Sequence, residues 1–159
     1  MSLQNGDPPP LIGALLRLPY EVVRRRLLEG LHAAGFTDLT AAHLTVMLYP
    51  PSAGQRPSDL AVQRGMSRQA LNYILGQVEE LGYLERRSDP DDQRSKRIAL
   101  TPRGHRAGEV MRKAVLELEG EWAEQLGAER FAELKRLLTE LSELAVPSGQ
   151  VRVQPRERA

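Results

Sequence analysis

Residues 85–104 read ERRSDPDDQRSKRIALTPRG, and this stretch decides the fold. Two runs that are suited to β-strands, residues 84–88 and 95–100, flank a polar tip. Thr101 and Pro102 then predict the start of a helix, because Thr is a common N-cap and Pro is well tolerated at the first helical position. The pattern therefore predicts a basic β-hairpin that is followed directly by a helix. Such a hairpin can lie along a nucleic-acid backbone and carry an arginine into a groove.

Two helices are predicted immediately before the hairpin. Pro57–Arg64 forms a short helix that ends at Gly65, and Ser67 caps a second helix that continues to about Leu81. The apolar residues of the second helix share one face, whereas its first turns carry polar side chains on the opposite face. Two helices joined by a tight glycine turn indicate a helix-turn-helix, and the hairpin adds the wing of a winged helix-turn-helix.

The rest of the chain is also predicted to be helical, so the fold class is mostly α (α+β). Apolar residues recur at helical spacing over residues 11–34, where Pro19 either kinks one long helix or begins a second one. A short helix covers residues 40–49, and Gly127 separates two long helices, Pro102–Leu126 and Ala128–Ala145.

The long terminal helices predict a dimer. Their apolar faces are larger than a domain of this size can cover, and a helix with an uncovered apolar face usually packs against a partner subunit. We divide the chain into a disordered N-terminus (residues 1–10), an N-terminal dimerisation helix (11–34), a winged helix-turn-helix domain (35–101), C-terminal dimerisation helices (102–146) and a disordered tail (147–159).

Charge is distributed unevenly along the chain. The net charge is only +1, which by itself predicts no polyanionic partner. Residues 52–106 contain ten Lys and Arg against seven Asp and Glu, whereas residues 107–146 contain five against nine. The basic excess therefore falls on the helix-turn-helix and the hairpin, the part that would face phosphate.

Several classes of function are excluded or disfavoured. The chain has no Cys, which excludes disulfides, Cys nucleophiles, thiol redox sensing and Cys-based zinc sites. No signal peptide and no run of ~18 apolar residues is found, so we expect a cytoplasmic protein with no membrane contact. The histidines, His32, His43 and His105, are far apart in the sequence, and no catalytic constellation is found. We therefore expect no metal, no cofactor and no enzymatic activity.

Specific motifs relate this chain to a known family. The hairpin and the helix after it contain Asp89-Pro90-x-Asp92-x-Arg94 and Ile98-x-Leu100-Thr101-x-x-Gly104, and the second helix contains Arg68-Gln69-Ala70-Leu71 and leaves through Leu81-Gly82-Tyr83-Leu84. These motifs resemble those of the MarR family of winged-helix transcriptional regulators, sharply over residues 57–104 and more loosely over residues 11–146. The resemblance implies that Arg94 enters the minor groove of DNA and that Asp92 helps to orient it.

The predicted DNA-binding surface has two parts besides Arg94 and Asp92. The start of the second helix would enter the major groove. There, bases would be contacted by Arg68, Gln69, Asn72 and Tyr73, and a phosphate by Ser67. The strands would add phosphate contacts from Arg86, Arg87, Lys96 and Arg97. The helix residues would also fit an ordinary helix face that contacts only water. Asp92 and Arg94 would also fit an exposed ion pair that has no function.

The expected function is that of a sequence-specific regulator. A homodimer would bind a pseudo-palindromic operator in double-stranded DNA, with half-sites about one helical turn (~34 Å) apart. The resemblance implies a repressor that is released by a small-molecule effector, and by analogy Tyr20, His43 and Met47 would border the effector pocket. The alternative is a winged-helix module that binds another protein and does not bind specific DNA.

Overall fold

The computed structural model of the chain describes residues 9–47, 55–89, 92 and 94–145. In this part of the chain the elements follow the order α1 (Ile12–Ala33), α2 (Ala41–Met47), α3 (Pro57–Arg64), α4 (Arg68–Glu80), β1 (Leu84–Ser88), β2 (Lys96–Leu100), α5 (Pro102–Leu126) and α6 (Ala128–Ala145). The predicted fold class, mostly α with one hairpin, is confirmed. The disorder predicted for residues 1–10 and 147–159, residues 9 and 10 excepted, lies outside the described residues, as do the last two residues of the helix predicted over 40–49.

Helix α1 continues through Pro19 as a single helix, which agrees with one of the two alternatives and not with a second helix that begins there. A proline inside a helix removes the hydrogen-bond donor for the carbonyl four residues earlier, here that of Leu15. Residues 11–20 are all exposed, so water can solvate this carbonyl and the helix can continue.

The core lies between α1, α5 and the helix-turn-helix. Its fully buried apolar side chains come mainly from α1, α2, α4 and α5, and include Leu27, Leu31, Leu44, Met47, Leu71, Val78, Ala107 and, just before β1, Tyr83. Helices α1 and α5 approach closely at Gly30, where a Cβ atom would lie 3.2 Å from the Cβ of Ala114. Arg26 donates two hydrogen bonds, of 2.9 and 2.7 Å, to the carboxylate of Glu121 and ties the same two helices together.

Local capping fixes the helix-turn-helix as predicted. Gly65 ends α3 in the left-handed conformation, with φ of 60°, and the Oγ of Ser67 accepts a 3.1 Å hydrogen bond from the N–H of Ala70. At the start of α5, the Oγ1 of Thr101 accepts a 3.1 Å hydrogen bond from the N–H of Gly104. These caps set where α4 and α5 begin relative to the wing.

The wing is tied to the segment before α3. β1 and β2 pair antiparallel, with Leu84 opposite Leu100. On the other side of β2, the N–H of Gln55 donates to the carbonyl of Ile98 at 3.2 Å, and the N–H of Ile98 donates back at 2.8 Å. The pairing of Gln55 with Ile98, which the sequence did not reveal, anchors the hairpin to the start of the helix-turn-helix.

The terminal helices keep large apolar side chains on their surfaces. In the described part of the chain these exposed residues include Leu11, Ile12, Leu15, Leu16 and Leu18 near the start of α1, and Leu134, Leu137, Leu138, Leu141 and Leu144 on α6. Exposed apolar rows of this length are typical of subunit interfaces.

Candidate nucleic-acid interface

The first turns of α4 present the polar face that the sequence predicts. Ser67, Arg68, Gln69, Asn72 and Tyr73 are all exposed, and 69% of the Tyr73 surface is accessible. Helical spacing places residues 68 and 72 one turn apart, as it does residues 69 and 73. Because the opposite face is buried in the core, this polar face can meet a ligand without any rearrangement of the helix.

At the tip of the wing, Arg94 is exposed and Asp92 organises the turn around it. The Oδ1 of Asp92 accepts a 3.1 Å hydrogen bond from the backbone N–H of Arg94, and its Oδ2 accepts one of 3.2 Å from the hydroxyl of Ser95. Asp92 therefore orients Arg94 through the backbone of the turn. Among the described residues, none accepts a hydrogen bond from the Arg94 guanidinium, which is available to an outside acceptor.

The other predicted wing cations have acceptors within the protein. Arg86 donates to the Glu79 carboxylate at 3.1 Å, and Arg87 donates to the carboxylate of Glu85. The Nζ of Lys96 donates to the hydroxyl of Ser88 at 3.2 Å. Exposed pairs of this kind are worth at most ~1 kcal/mol, so these side chains can exchange their acceptors for phosphate at little cost.

Arg97 differs from these cations because its acceptor is a fully buried carboxylate. Its Nε lies 2.9 Å from the Oδ1 of Asp89, and Arg56 binds the other oxygen of the same carboxylate. The hydrogen bond and the charge of Asp89 raise the pKa of Arg56. The arrangement favours a structural role for Arg97. The sequence motifs did not predict this role of Arg56, because its partner Asp89 lies 33 residues away.

Comparison with known proteins relates this unit to one family. Residues 26–95, fewer than half of the chain, match the model of the MarR family. Solved structures agree: the reduced form of MarR from E. coli is 27% identical, with a TM-score of 0.68 over 85% of this chain and 98% of that chain. No curated protein sequence matches the chain.

Two further MarR-type structures carry ligands. The transcriptional repressor CouR, bound to a 23-mer DNA duplex, is 26% identical, with a TM-score of 0.61 over 86% of this chain and 93% of that chain. The MarR family protein Rv2887 of Mycobacterium tuberculosis, in complex with p-aminosalicylic acid, is 27% identical, with a TM-score of 0.58 over 84% and 99%. Within the described residues of the present chain, no helix has the length and apolarity needed to cross a membrane.

The three candidate effector residues lie in different environments. Tyr20 is 48% exposed, and Arg24 lies over its ring at 5.9 Å. His43 is buried, and its Nδ1 accepts a 3.2 Å hydrogen bond from the N–H of Thr40, so it caps α2. Met47 is fully buried in the core. Only Tyr20 therefore faces solvent, while His43 and Met47 fill the interior of the subunit.

A second polar cluster joins the end of α4 to the start of α5. The hydroxyl of Tyr83 donates to Asp38 at 2.5 Å, and Arg103 donates to the other oxygen of Asp38 at 2.7 Å. Arg103 also lies over the Tyr83 ring at 4.4 Å and donates to the carbonyl of Leu81 at 2.8 Å. The cluster fixes the C-terminal end of α4 relative to α5.

This cluster predicts how stability depends on pH. Burial and the hydrogen bond to Asp38 raise the pKa of Tyr83 to about 12, above the ~10 of an unfolded tyrosine. Since the raised pKa means that the folded state holds the proton more tightly, this stabilisation is complete below pH ~10 and is lost as the pH rises towards 12. Urea unfolding should show Tyr83→Phe to be less stable than the wild type by about 1–2 kcal/mol at pH 8, with the gap closing between pH ~10 and ~12.

The exposed Tyr73 provides the control for this prediction. Tyr73→Phe removes an exposed hydroxyl that accepts one 3.3 Å hydrogen bond from Gln77, so it should change stability by less than about 0.5 kcal/mol at pH 8. A constant gap between the wild type and Tyr83→Phe up to pH ~12 would contradict the role given to the Tyr83 proton.

Proposed function

We propose that this protein is a transcriptional regulator that binds a pseudo-palindromic operator in double-stranded DNA as a homodimer. The observation that carries the proposal is the exposed polar face of α4 beside a wing whose tip holds an exposed Arg94, within a unit that matches the MarR-family model. A regulator of this kind acts on DNA in the cytoplasm and is not an enzyme.

The residues divide into three kinds of DNA contact. In the major groove, Arg68 suits guanine, and Gln69 and Asn72 suit adenine, because their donors and acceptors match the base edges. Ser67 and the N–H groups at the start of α4 suit a phosphate. In the minor groove, Arg94 suits the negative potential of narrow A·T-rich sequences.

The wing cations would strengthen binding without reading sequence. These side chains, Arg86, Arg87 and Lys96, are exposed. Their interactions with acceptors inside the protein are weak, so each can bind a phosphate instead. The structure of CouR, a protein of similar fold bound to a 23-mer DNA duplex, supports double-stranded DNA as the partner.

The homodimer is supported by the exposed apolar rows on α1 and α6. A twofold dimer would bury both rows and present two copies of α4 to two half-sites. Leu141→Asp is expected to weaken the dimer about tenfold, because Leu141 is 42% exposed in the subunit and its burial would come from the partner. Sedimentation equilibrium measures the change.

Thr139→Asp is the matched control for Leu141→Asp. It adds the same charge to α6 two residues earlier, on nearly the opposite side of the helix. Thr139→Asp should leave the dimer intact. Equal weakening by both variants, or by neither, would contradict an interface on this face of α6.

We extend the proposal to a repressor that a small molecule releases. The complex of Rv2887 with p-aminosalicylic acid supports an aromatic acid as the first class of ligand to test. Tyr20, which faces solvent with Arg24 over its ring, offers a ring and a cation to such a ligand, whereas His43 and Met47 are buried. For release, the ligand must have a higher affinity for the dimer geometry that cannot bind DNA than for the geometry that binds DNA.

Selection of duplexes from a random pool by the purified protein, at physiological salt, tests the proposed function. The expected result is an inverted repeat with half-site centres about ten base pairs apart. An unenriched pool from a folded dimer would contradict the proposal and favour a winged helix that binds protein.

A further inference from the structure

The buried carboxylate of Asp89 is unusual in an otherwise exposed hairpin. Asp89 is fully buried although it directly follows β1, at the base of the wing tip. A buried carboxylate destabilises the folded state unless it is paired and hydrogen-bonded. Separating it from its partners would therefore carry a large free-energy penalty.

Two arginines from distant parts of the chain bind this carboxylate. The Nε and Nη2 of Arg56 lie 2.8 and 2.7 Å from its Oδ2. The Nε of Arg97 lies 2.9 Å from its Oδ1. Each oxygen therefore has its own guanidinium, and we call Arg56, Asp89 and Arg97 the wing clasp.

The wing clasp joins three segments that determine where the tip lies. Asp89 directly follows β1, Arg97 lies on β2, and Arg56 is the residue immediately before α3. Asp89 also donates its N–H to the carbonyl of Ser95 at 3.1 Å, across the base of the turn that carries Arg94. The distance between the tip and the helix-turn-helix thus depends on the clasp.

The core holds the base of the hairpin through Leu84 and Ile98, whereas the part of β1 that leads to the tip is exposed. A two-stranded hairpin is marginally stable by itself in water, and most of β1 is exposed. Two contacts join the wing to the start of α3: the Gln55–Ile98 backbone pairing and the ion pair of Arg56 with Asp89. Loss of the Arg56 side chain would let the wing sample several orientations, and part of the binding energy would then be used to order it.

We propose that Arg56 is a positioning residue for the wing: through Asp89 it fixes the hairpin against the start of α3, so that Arg94 meets the minor groove at a set distance from α4. The inference rests on the proposed function, because Arg94 and α4 must both engage DNA. Arg56 then contributes to affinity without contacting DNA itself.

A double-mutant cycle with the full-length dimer and the selected operator tests this role. Arg56→Gln should weaken binding about tenfold in the presence of Arg94, but less than about twofold when Arg94→Ala is already present. The salt dependence of binding should keep its slope, because no phosphate contact is lost. Arg25→Gln is the matched control: it removes the same charge from an exposed pair on α1 and should leave the affinity unchanged.

Two results would overturn the proposal. Additive effects of Arg56→Gln and Arg94→Ala, with a salt slope reduced by about one, would make Arg56 a phosphate contact. Unchanged operator affinity in Arg56→Gln would remove it from the mechanism.

Amide hydrogen exchange in the absence of DNA separates this inference from the proposed function. Arg56→Gln should speed exchange in β1 and β2 relative to Arg25→Gln, since exchange reports local opening. Unchanged exchange overturns the clasp whether or not DNA binds. If Arg56→Gln exchanges faster but the wild type selects no operator, the proposed function is contradicted. The structural role of the wing clasp would still be supported.

Discussion

Replacing Gly104 with Ala is expected to destabilise the protein by about 3 kcal/mol, because there is no space for one added methyl group. A Cβ at this position would lie 2.1 Å from the carbonyl oxygen of Tyr83 and 2.9 Å from the Cδ2 of Leu100. The carbonyl cannot retreat freely, since it accepts a 3.1 Å hydrogen bond from the N–H of Thr101. The first turn of α5 packs directly on the backbone that leaves α4.

Neighbouring hydrogen bonds make this contact rigid. The hydroxyl of Thr101 donates to the carbonyl of Gly82 at 2.6 Å and accepts from the N–H of Gly104 at 3.1 Å. A shift of α5 that accommodated the methyl group would break both bonds and move Arg103 away from the end of α4. The cost of overpacking is therefore not relieved by a local adjustment.

Gly108→Ala provides the control for this prediction. Gly108 lies one turn later in the same helix, and a Cβ there would meet nothing within 4 Å. The substitution should be neutral or stabilising by up to about 1 kcal/mol, because Ala favours helices over Gly. Urea unfolding followed by circular dichroism compares both variants with the wild type. Equal stability of Gly104→Ala and Gly108→Ala would contradict the close packing described at Tyr83.

The sequence revealed the start of α5 but not the reason for its glycine. Thr101 and Pro102 identify the helix start because capping is local, and the same is true of Gly65 and Ser67 at the helix-turn-helix. The need for a glycine at residue 104 depends on the carbonyl of Tyr83, which is brought close only when the wing folds back. Local signals therefore predicted the elements and their ends, while close packing between them remained hidden.

The candidate DNA surface was predictable to the same extent. Helical periodicity was enough to predict that Arg68 and Asn72 are exposed, because their neighbours Leu71 and Leu75 form the apolar face. Ion pairing was not predictable, since Arg56 and Asp89 are 33 residues apart and Asp38 and Arg103 are 65 apart. A charge count of the hairpin treats all its cations alike, yet Arg97 is held by a buried carboxylate.

The effector residues illustrate a different limit. His43 and Met47 were chosen by analogy, but both are buried, and together with Leu44 they form the inward face of α2 at helical spacing. A buried residue four positions after another on a short helix is more simply explained by core packing. Of the three residues that analogy indicated, only Tyr20 presents its side chain to solvent.

Arg94→Ala is expected to weaken operator binding by about 1–3 kcal/mol, or roughly 5- to 150-fold, while the dimer and its stability remain unchanged. Arg94 is exposed at the wing tip, so its removal exposes no core and breaks no ion pair among the described residues. Its backbone is already ordered by Asp92, which lowers the cost of ordering the side chain on binding. The lost contact is therefore almost wholly a lost interaction with DNA.

Arg94→Lys distinguishes minor-groove insertion from simple charge attraction. Lysine keeps the charge but is more strongly hydrated and lacks the planar guanidinium, so it should recover only part of the affinity. Replacing A·T pairs by G·C pairs where the wing lies should weaken the wild type more than Arg94→Ala, because only the wild type uses the narrow groove. Titrations of labelled duplexes at several salt concentrations measure both effects. If Arg94→Lys binds as tightly as the wild type and neither protein responds to the flanking sequence, Arg94 acts as a phosphate contact and the groove-reading role is wrong.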